Sequence, residues 1–152
     1  MSFDSLSFDS LFIGSDHGGL HLKSVIINYL NIHASQLSLS DLGTDSTDST
    51  DYPDYAKKVA QSVQASPNSC GILCCGTGIG MSIQANRFKG IRATVVFDPF
   101  TAEMSRAHNN SNILCLGERS LKESVSLDLV RIWLTTPFEG GRHEKRTQKL
   151  DA

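Results

Sequence analysis

Short apolar runs alternate with amphipathic stretches along this chain. Leu11-Phe12-Ile13 is a brief apolar run ending at Gly14. Beyond Gly18-Gly19, Leu22, Val25, Ile26, Tyr29 and Leu30 recur at i, i+3, i+4, i+7 and i+8, one face of a helix. Leu37 to Leu42 alternates apolar with polar, as a strand does. Pro53 suits the first turn of a second helix, where its missing N–H does no harm. Ala56, Val59, Ala60 and Val63 mark the inner face of that helix, and Pro67-Asn68 ends it. Gly71 to Cys75 predicts a short, fully buried strand that runs into Gly76-Thr77-Gly78-Ile79-Gly80 and a helix to about Asn86. Ile91 to Phe97, rich in β-branched residues, predicts a fourth strand. Asp98-Pro99 opens a helix carrying Ala102, Met104 and Ala107, with His108 near its end, and Asn112 to Leu116 is a fifth strand closed by Gly117. Ser120 and Glu123 have capping-box spacing ahead of Val125, Leu129, Ile132 and Trp133. Pro137 stops that helix, and Arg142 to Lys149 forms a last one.

Strands alternating with helices predict an α/β fold, a single doubly wound (Rossmann-like) three-layer sandwich with a five-stranded parallel sheet. In such sheets ligands bind beyond the carboxyl ends of the strands. Asp16 and His17, Cys75 to Gly80, and Asp98 all fall at such ends. The 152 residues suit one domain, expected over 11–152. Residues 1–10 are an N-terminal extension in which Ser-Phe-Asp-Ser-Leu occurs twice, expected to be loose.

Charge and composition narrow the function classes. Hydrophobic residues at 39% and charged residues at 20% are an ordinary globular balance. Fourteen basic against sixteen acidic side chains, a net charge of -2, argue against a nucleic-acid surface but leave room for a local phosphate site. No apolar run approaches the roughly 18 residues of a membrane span. The first ten residues carry Asp4 and Asp9 but no Lys or Arg, unlike a secretory signal. Cys70, Cys74, Cys75 and Cys115 suit neither a disulfide framework nor a zinc pair, so reduced thiols in the cytoplasm are expected.

The Gly76 to Gly80 turn follows a strand and precedes a helix, so its N–H groups can converge on an anion; a plain tight turn is the bland alternative. It lacks the G-K-[ST] ending of a P-loop. A dinucleotide fingerprint fails at Met81, although Asp98 lies where a ribose-binding acid would. Cys75, beside the positive end of that helix, is favoured as thiolate and could serve as base or nucleophile. Cys70, Cys74 and Cys115 read as small buried hydrophobes, Cys74 on the sheet face opposite Cys75. Asp16-His17 is either a helix cap or a functional pair, and His108-Asn109 either a helix end or part of a site. His21 and His33 read as surface residues. Arg142 and Arg146, four apart, could present two guanidinium forks to a phosphate or simply form a solvated tail.

Taken together, these stretches resemble the ribose-5-phosphate isomerase B family, which includes galactose-6-phosphate isomerase subunits. The matching segments are Gly14 to Gly19, Asp51 to Ala56, Gly71 to Ser82, Ala85 to Arg87, Gly90 to Ala93, Ser105 to Asn109, Gly117 to Arg119 and Glu139 to His143, in family order. The resemblance implies a metal-independent, cofactor-free aldose–ketose isomerase of ribose 5-phosphate and ribulose 5-phosphate in the pentose phosphate pathway. It implies Cys75 as the base of an enediolate mechanism, with Thr77 and the backbone of Gly76, Gly78, Ile79 and Gly80 stabilising the oxyanion. His108 and Asp16 would assist ring opening, Asn109 would bind the sugar and Tyr52 line the pocket. His17, Arg142 and Arg146 match phosphate-binding positions, and Arg119 another arginine of the site. It further implies a homodimer or dimer of dimers, with His108, Asn109 and Arg119 reaching the active site from the partner of the chain that supplies Cys75. A six-carbon sugar phosphate as substrate, or a non-catalytic phosphosugar- or nucleotide-binding role, are the alternatives.

Overall fold

The computed structural model describes residues 2–152; Met1 lies outside the described residues. The chain runs β1 (Ser10–Ser15), α1 (Leu20–His33), β2 (Ser38–Asp41), α2 (Tyr52–Ala65), β3 (Ser69–Cys75), α3 (Ile79–Ala85), β4 (Ala93–Val95), α4 (Pro99–Ala107), β5 (Ile113–Gly117), α5 (Glu123–Thr135) and α6 (Arg142–Leu150). All five strands are parallel, in the order β2-β1-β3-β5-β4. The order reverses direction between β1 and β3, which leaves a crevice beyond their carboxyl ends.

Period-two alternation in the central strands feeds two apolar layers. Cys70, Ile72 and Cys74 of β3 join Leu11, Ile13, Leu114 and Leu116 under α1 and α5, packed against Leu22, Ile26, Leu129 and Trp133. Leu73 and Cys75 join Ile113 and Cys115 on the opposite face, under Val59, Val63, Met81 and Ala85 of α2 and α3. The three-layer expectation holds, and every residue of β3 is buried, as its unbroken apolar run requires.

Local chemistry accounts for several boundaries. Asp98 and Thr101 form a reciprocal capping box, the Asp98 Oδ1 accepting the Thr101 N–H at 2.7 Å, so this carboxylate is engaged in starting α4 rather than awaiting a ribose. Ser120 and Glu123 do not form the expected box: α5 begins after Lys122, Ser120 Oγ donates to Gly117 O at 3.2 Å, and Glu123 reaches His21. The turn after β5 closes too early for Ser120 to stand at the cap. The inner face of α5 is also rotated from the expected one, with Leu129, Val130, Trp133 and Leu134 buried and Val125 and Ile132 only partly so. The fourth strand spans three residues rather than seven, because at the sheet edge only Ala93 to Val95 find ladder partners on β5. No helix among the described residues is long and apolar enough to cross a membrane.

The N-terminal segment is docked rather than loose. Phe3 is buried in the α1 layer, and the Phe8 ring stacks on Trp133 with centroids 5.7 Å apart. The Arg106 guanidinium lies over Phe8, 4.7 Å from its centroid. Repetition of Ser-Phe-Asp-Ser-Leu thus supplies two aromatic anchors, a role its low complexity concealed. Among the described residues the one buried lysine is Lys23 on α1, whose Nζ donates to Asp41 Oδ2 at 2.8 Å and to Thr44 O at 2.7 Å. Asp41→Ala removes the counter-charge of an ammonium that is 3% exposed. It should lower unfolding free energy by about 3 kcal/mol in urea titration, well beyond the effect of Lys23→Met, which removes the buried charge itself.

Candidate active site

The crevice at the reversal point is a cleft of about 460 Å³ lined by Asp16, Tyr52, Cys75, Gly76, Thr77, Ile79, Gly80 and Ile83. Three segments build it. Asp16 follows β1 and caps the turn after it, its Oδ1 accepting the Gly19 N–H at 3.1 Å. The next residue, His17, exchanges two hydrogen bonds with Thr50: its backbone N–H donates to Thr50 Oγ1 at 3.2 Å, and its Nδ1 accepts the Thr50 N–H at 3.1 Å. A ring whose Nδ1 accepts carries its proton on Nε2 when neutral, so this bond fixes the tautomer. Nothing in the Ser/Thr/Asp composition of residues 45–51 marks Thr50 as the partner.

Cys75 ends β3, and the chain then turns through Gly76 to Gly80. The Cys75 sulfur accepts the Gly78 N–H at 3.0 Å, which holds it at the floor of the cleft. Gly78 has φ +79°, and a Cβ there would lie 3.0 Å from the backbone of Leu116, so the turn needs glycine on both counts. The Tyr52 ring packs so close to Gly80 that a Cβ would come within 2.6 Å of it, and the ring thereby forms one wall. Thr77 Oγ1 accepts the Ile79 N–H at 3.3 Å. The other three thiols are fully buried, and burial pushes all of them well above the ordinary thiol range; Cys75 alone lines a cleft.

The third segment follows β5. Glu118 N–H donates to Cys75 O at 2.9 Å and Arg119 N–H to Gly76 O at 3.0 Å, extending the β3–β5 pairing into the turns. Glu118 Oε2 also accepts the Leu22 N–H at 2.9 Å, tying the same turn to the start of α1. Arg119 therefore stands over the glycine turn of its own chain. A Cβ on Gly76 would lie 3.5 Å from its Nη1, and one on Gly18 3.8 Å from its Nη2. The expected contribution of Arg119 from a partner chain is corrected on this geometry.

The remaining site candidates lie elsewhere. α4 runs back from the carboxyl edge, so His108, its C-cap, and Asn109 sit at the amino edge of the sheet, before β5 begins. Gly71 is paired with the first residue of β5 and Cys75 with the last, so about 13 Å of strand separates the two edges. Arg142 and Arg146 share an exposed face of α6 with Lys145 and Lys149, on the His108 side. His108 stacks on His143, one residue from Arg142, with centroids 4.2 Å apart. One chain thus gathers Asp16, His17, Tyr52, Cys75 to Gly80 and Arg119 in one place, and His108, Asn109, Arg142 and Arg146 in another. Among the described residues, one group has donor atoms close enough to hold a metal ion: His108, Glu139 and His143, all within 4.8 Å of one another. The neighbouring Arg142 and Arg146 repel a cation from that position.

The family described as Ribose/Galactose Isomerase matches residues 11–150 of the chain. The "Probable ribose-5-phosphate isomerase B" of Mycoplasma pneumoniae is 46% identical over 143 residues, 93% of each chain. The "Ribose-5-phosphate isomerase B" of Escherichia coli is 42% identical, over 91% of this chain and 92% of the relative. The solved structure of Clostridium thermocellum ribose-5-phosphate isomerase B superposes with a TM-score of 0.89 at 45% identity, covering 93% of this chain and 95% of that one. The exposure pattern of the thiols yields a direct check. Brief treatment of the native protein with iodoacetamide should label Cys75 alone by mass spectrometry, with Cys70, Cys74 and Cys115 labelled only after unfolding.

Proposed function

The chain belongs to the ribose/galactose isomerase family, and from that premise we propose that it interconverts ribose 5-phosphate and ribulose 5-phosphate by proton transfer through an enediolate. The observation that carries this reading is the Cys75 sulfur, held by the Gly78 N–H and facing a cleft also lined by Asp16, Tyr52 and Thr77. As base, the Cys75 thiolate takes the C2 proton of the open-chain aldose and returns it to C1, while the O2 hydroxyl proton passes to O1 across the enediolate. The charge that leaves carbon settles on oxygen, so donors aimed at that oxygen lower the barrier. Thr77 Oγ serves as such a donor, with the N–H groups of the glycine turn other than those of Gly78 and Ile79, which bond Cys75 Sγ and Thr77 Oγ1.

His108 and Asp16 open the furanose ring, Asn109 binds the sugar, and His17, Arg142 and Arg146 bind the phosphate, with Arg119 beside them. One chain cannot deliver this set, because His108 and Cys75 belong to opposite edges of its sheet. The active unit is therefore a homodimer, or a dimer of dimers, in which His108, Asn109, Arg142 and Arg146 of one subunit complete the cleft of the other. Exposed apolar side chains at the cleft margin, Ile79 and Ile83, support such a contact. A single isomerase domain over 11–152 acts in the cytoplasm, where four free thiols persist, as a step of the pentose phosphate pathway.

Incubation with ribose 5-phosphate in deuterated water should give ribulose 5-phosphate and deuterium uptake together. Binding of the sugar without exchange would sink the proposal in favour of a sensing role. Cys75→Ala should fold normally and lose roughly 100-fold or more in turnover. Paired Arg142→Ala and Arg146→Ala should act mainly on KM, raising it by about tenfold or more. Co-refolding equal amounts of the Cys75→Ala and His108→Ala chains should restore about a quarter of wild-type activity, since half the dimers are mixed and each has one intact site. Two chains that stay inactive when mixed would show that no site is shared.

A further inference from the structure

His108 occupies the C-cap of α4, and its side chain is 38% exposed. A histidine that must hand its proton to one particular oxygen needs a fixed ring, and a partly exposed side chain at a helix end has little of its own to fix it. Two neighbours outside the residues assigned so far supply the constraint. The His143 imidazole lies face to face with His108, centroids 4.2 Å apart and planes within 11°. His143 is rooted in the first turn of α6 and is only 5% exposed, yet its buried Nε2 makes no hydrogen bond. What the buried His143 ring offers His108 is therefore its face. Burial, helped by His108 and Arg142 and opposed by Glu139, holds His143 below the usual histidine range, which favours the uncharged ring.

Glu139 is the second neighbour. Its Oε2 lies 3.8 Å from His108 Nε2 and 3.5 Å from His143 Nε2. Its backbone N–H donates to Ala107 O at 3.0 Å, which fastens the segment before α6 to the last turn of α4. Carboxylate and platform are thus anchored to the same helix end that carries His108.

We infer that His143 is a platform and Glu139 a tether that together fix the His108 ring for proton transfer to the ring oxygen of the cyclic sugar. Neither touches the reacting atoms, so both are positioning residues. The inference rests on the isomerase reading and deepens it, and the two substrates of that reaction separate the steps. Ribose 5-phosphate is mostly a closed ring. Ribulose 5-phosphate stays open, because the hydroxyl that would close its ring carries the phosphate.

The test compares wild type with Glu139→Ala, His143→Ala and His143→Phe in two assays. One is conversion of ribose 5-phosphate; the other is deuterium wash-in at C1 of ribulose 5-phosphate, which needs the base but no ring opening. Glu139→Ala and His143→Ala should slow conversion roughly 10- to 100-fold and leave wash-in within about twofold of wild type. His143→Phe keeps a flat ring and should recover most of the lost conversion. Glu139 is 54% exposed, so its replacement tests the tether without threatening the fold. Equal losses in both assays, no loss in conversion, or a phenylalanine no better than alanine would overturn the inference. A wild-type protein that neither converts nor exchanges would instead remove the isomerase reading itself.

Discussion

Two backbone hydrogen bonds hold the candidate site together: Glu118 N–H to Cys75 O and Arg119 N–H to Gly76 O. They continue the β3–β5 ladder past the end of the strands and so lock the turn after β5 onto the turn after β3. Because the register is fixed by buried strands, a slip of one residue would turn Cys75 into the α1 layer and Cys74 into the cleft. The same two bonds carry Arg119 over Gly76 and leave Glu118 to cap the start of α1. Position of the thiol, identity of the nearby cation and entry of the first helix are thus one structural decision.

The thiols illustrate how burial sorts residues of identical chemistry. Cys70, Cys74 and Cys115 lie in the two apolar layers, where the cost of desolvating a thiolate keeps them protonated and inert. Cys75 differs by one position along the same strand. It faces the glycine turn, with a backbone N–H on its sulfur. Adjacent cysteines therefore have opposite fates, set by the alternation of side chains along β3.

The opposite edge of the sheet shows the same economy with imidazoles. His108 is left at a helix end, half exposed, and His143 is buried beneath it. Their separation from Cys75 follows from the direction of α4, which returns along the sheet as every crossover helix in a parallel fold must. The polar residues of this small α/β chain are thus split between two edges of one sheet, the division on which the proposed shared site rests.

Hydrophobic periodicity by itself determined the α/β class, the order of the elements and the inner face of α2, because those patterns reflect burial that any fold must satisfy; on α1 it found Leu22, Ile26 and Leu30 but not Lys23, and it overstated Val25. Residue type and spacing singled out Cys75, the glycine turn and Asp16-His17, since chemistry near a strand end is local. Long-range pairing decided the rest. Thr50 as partner of His17, Arg119 as a neighbour of Gly76 in the same chain, the docking of Phe3 and Phe8, and the face-to-face rings of His108 and His143 all join segments distant in sequence. The edge strand shrank to Ala93–Val95 and the Ser120–Glu123 box failed to form for the same reason: strand length and helix starts at the sheet margin depend on partners that local propensity does not register.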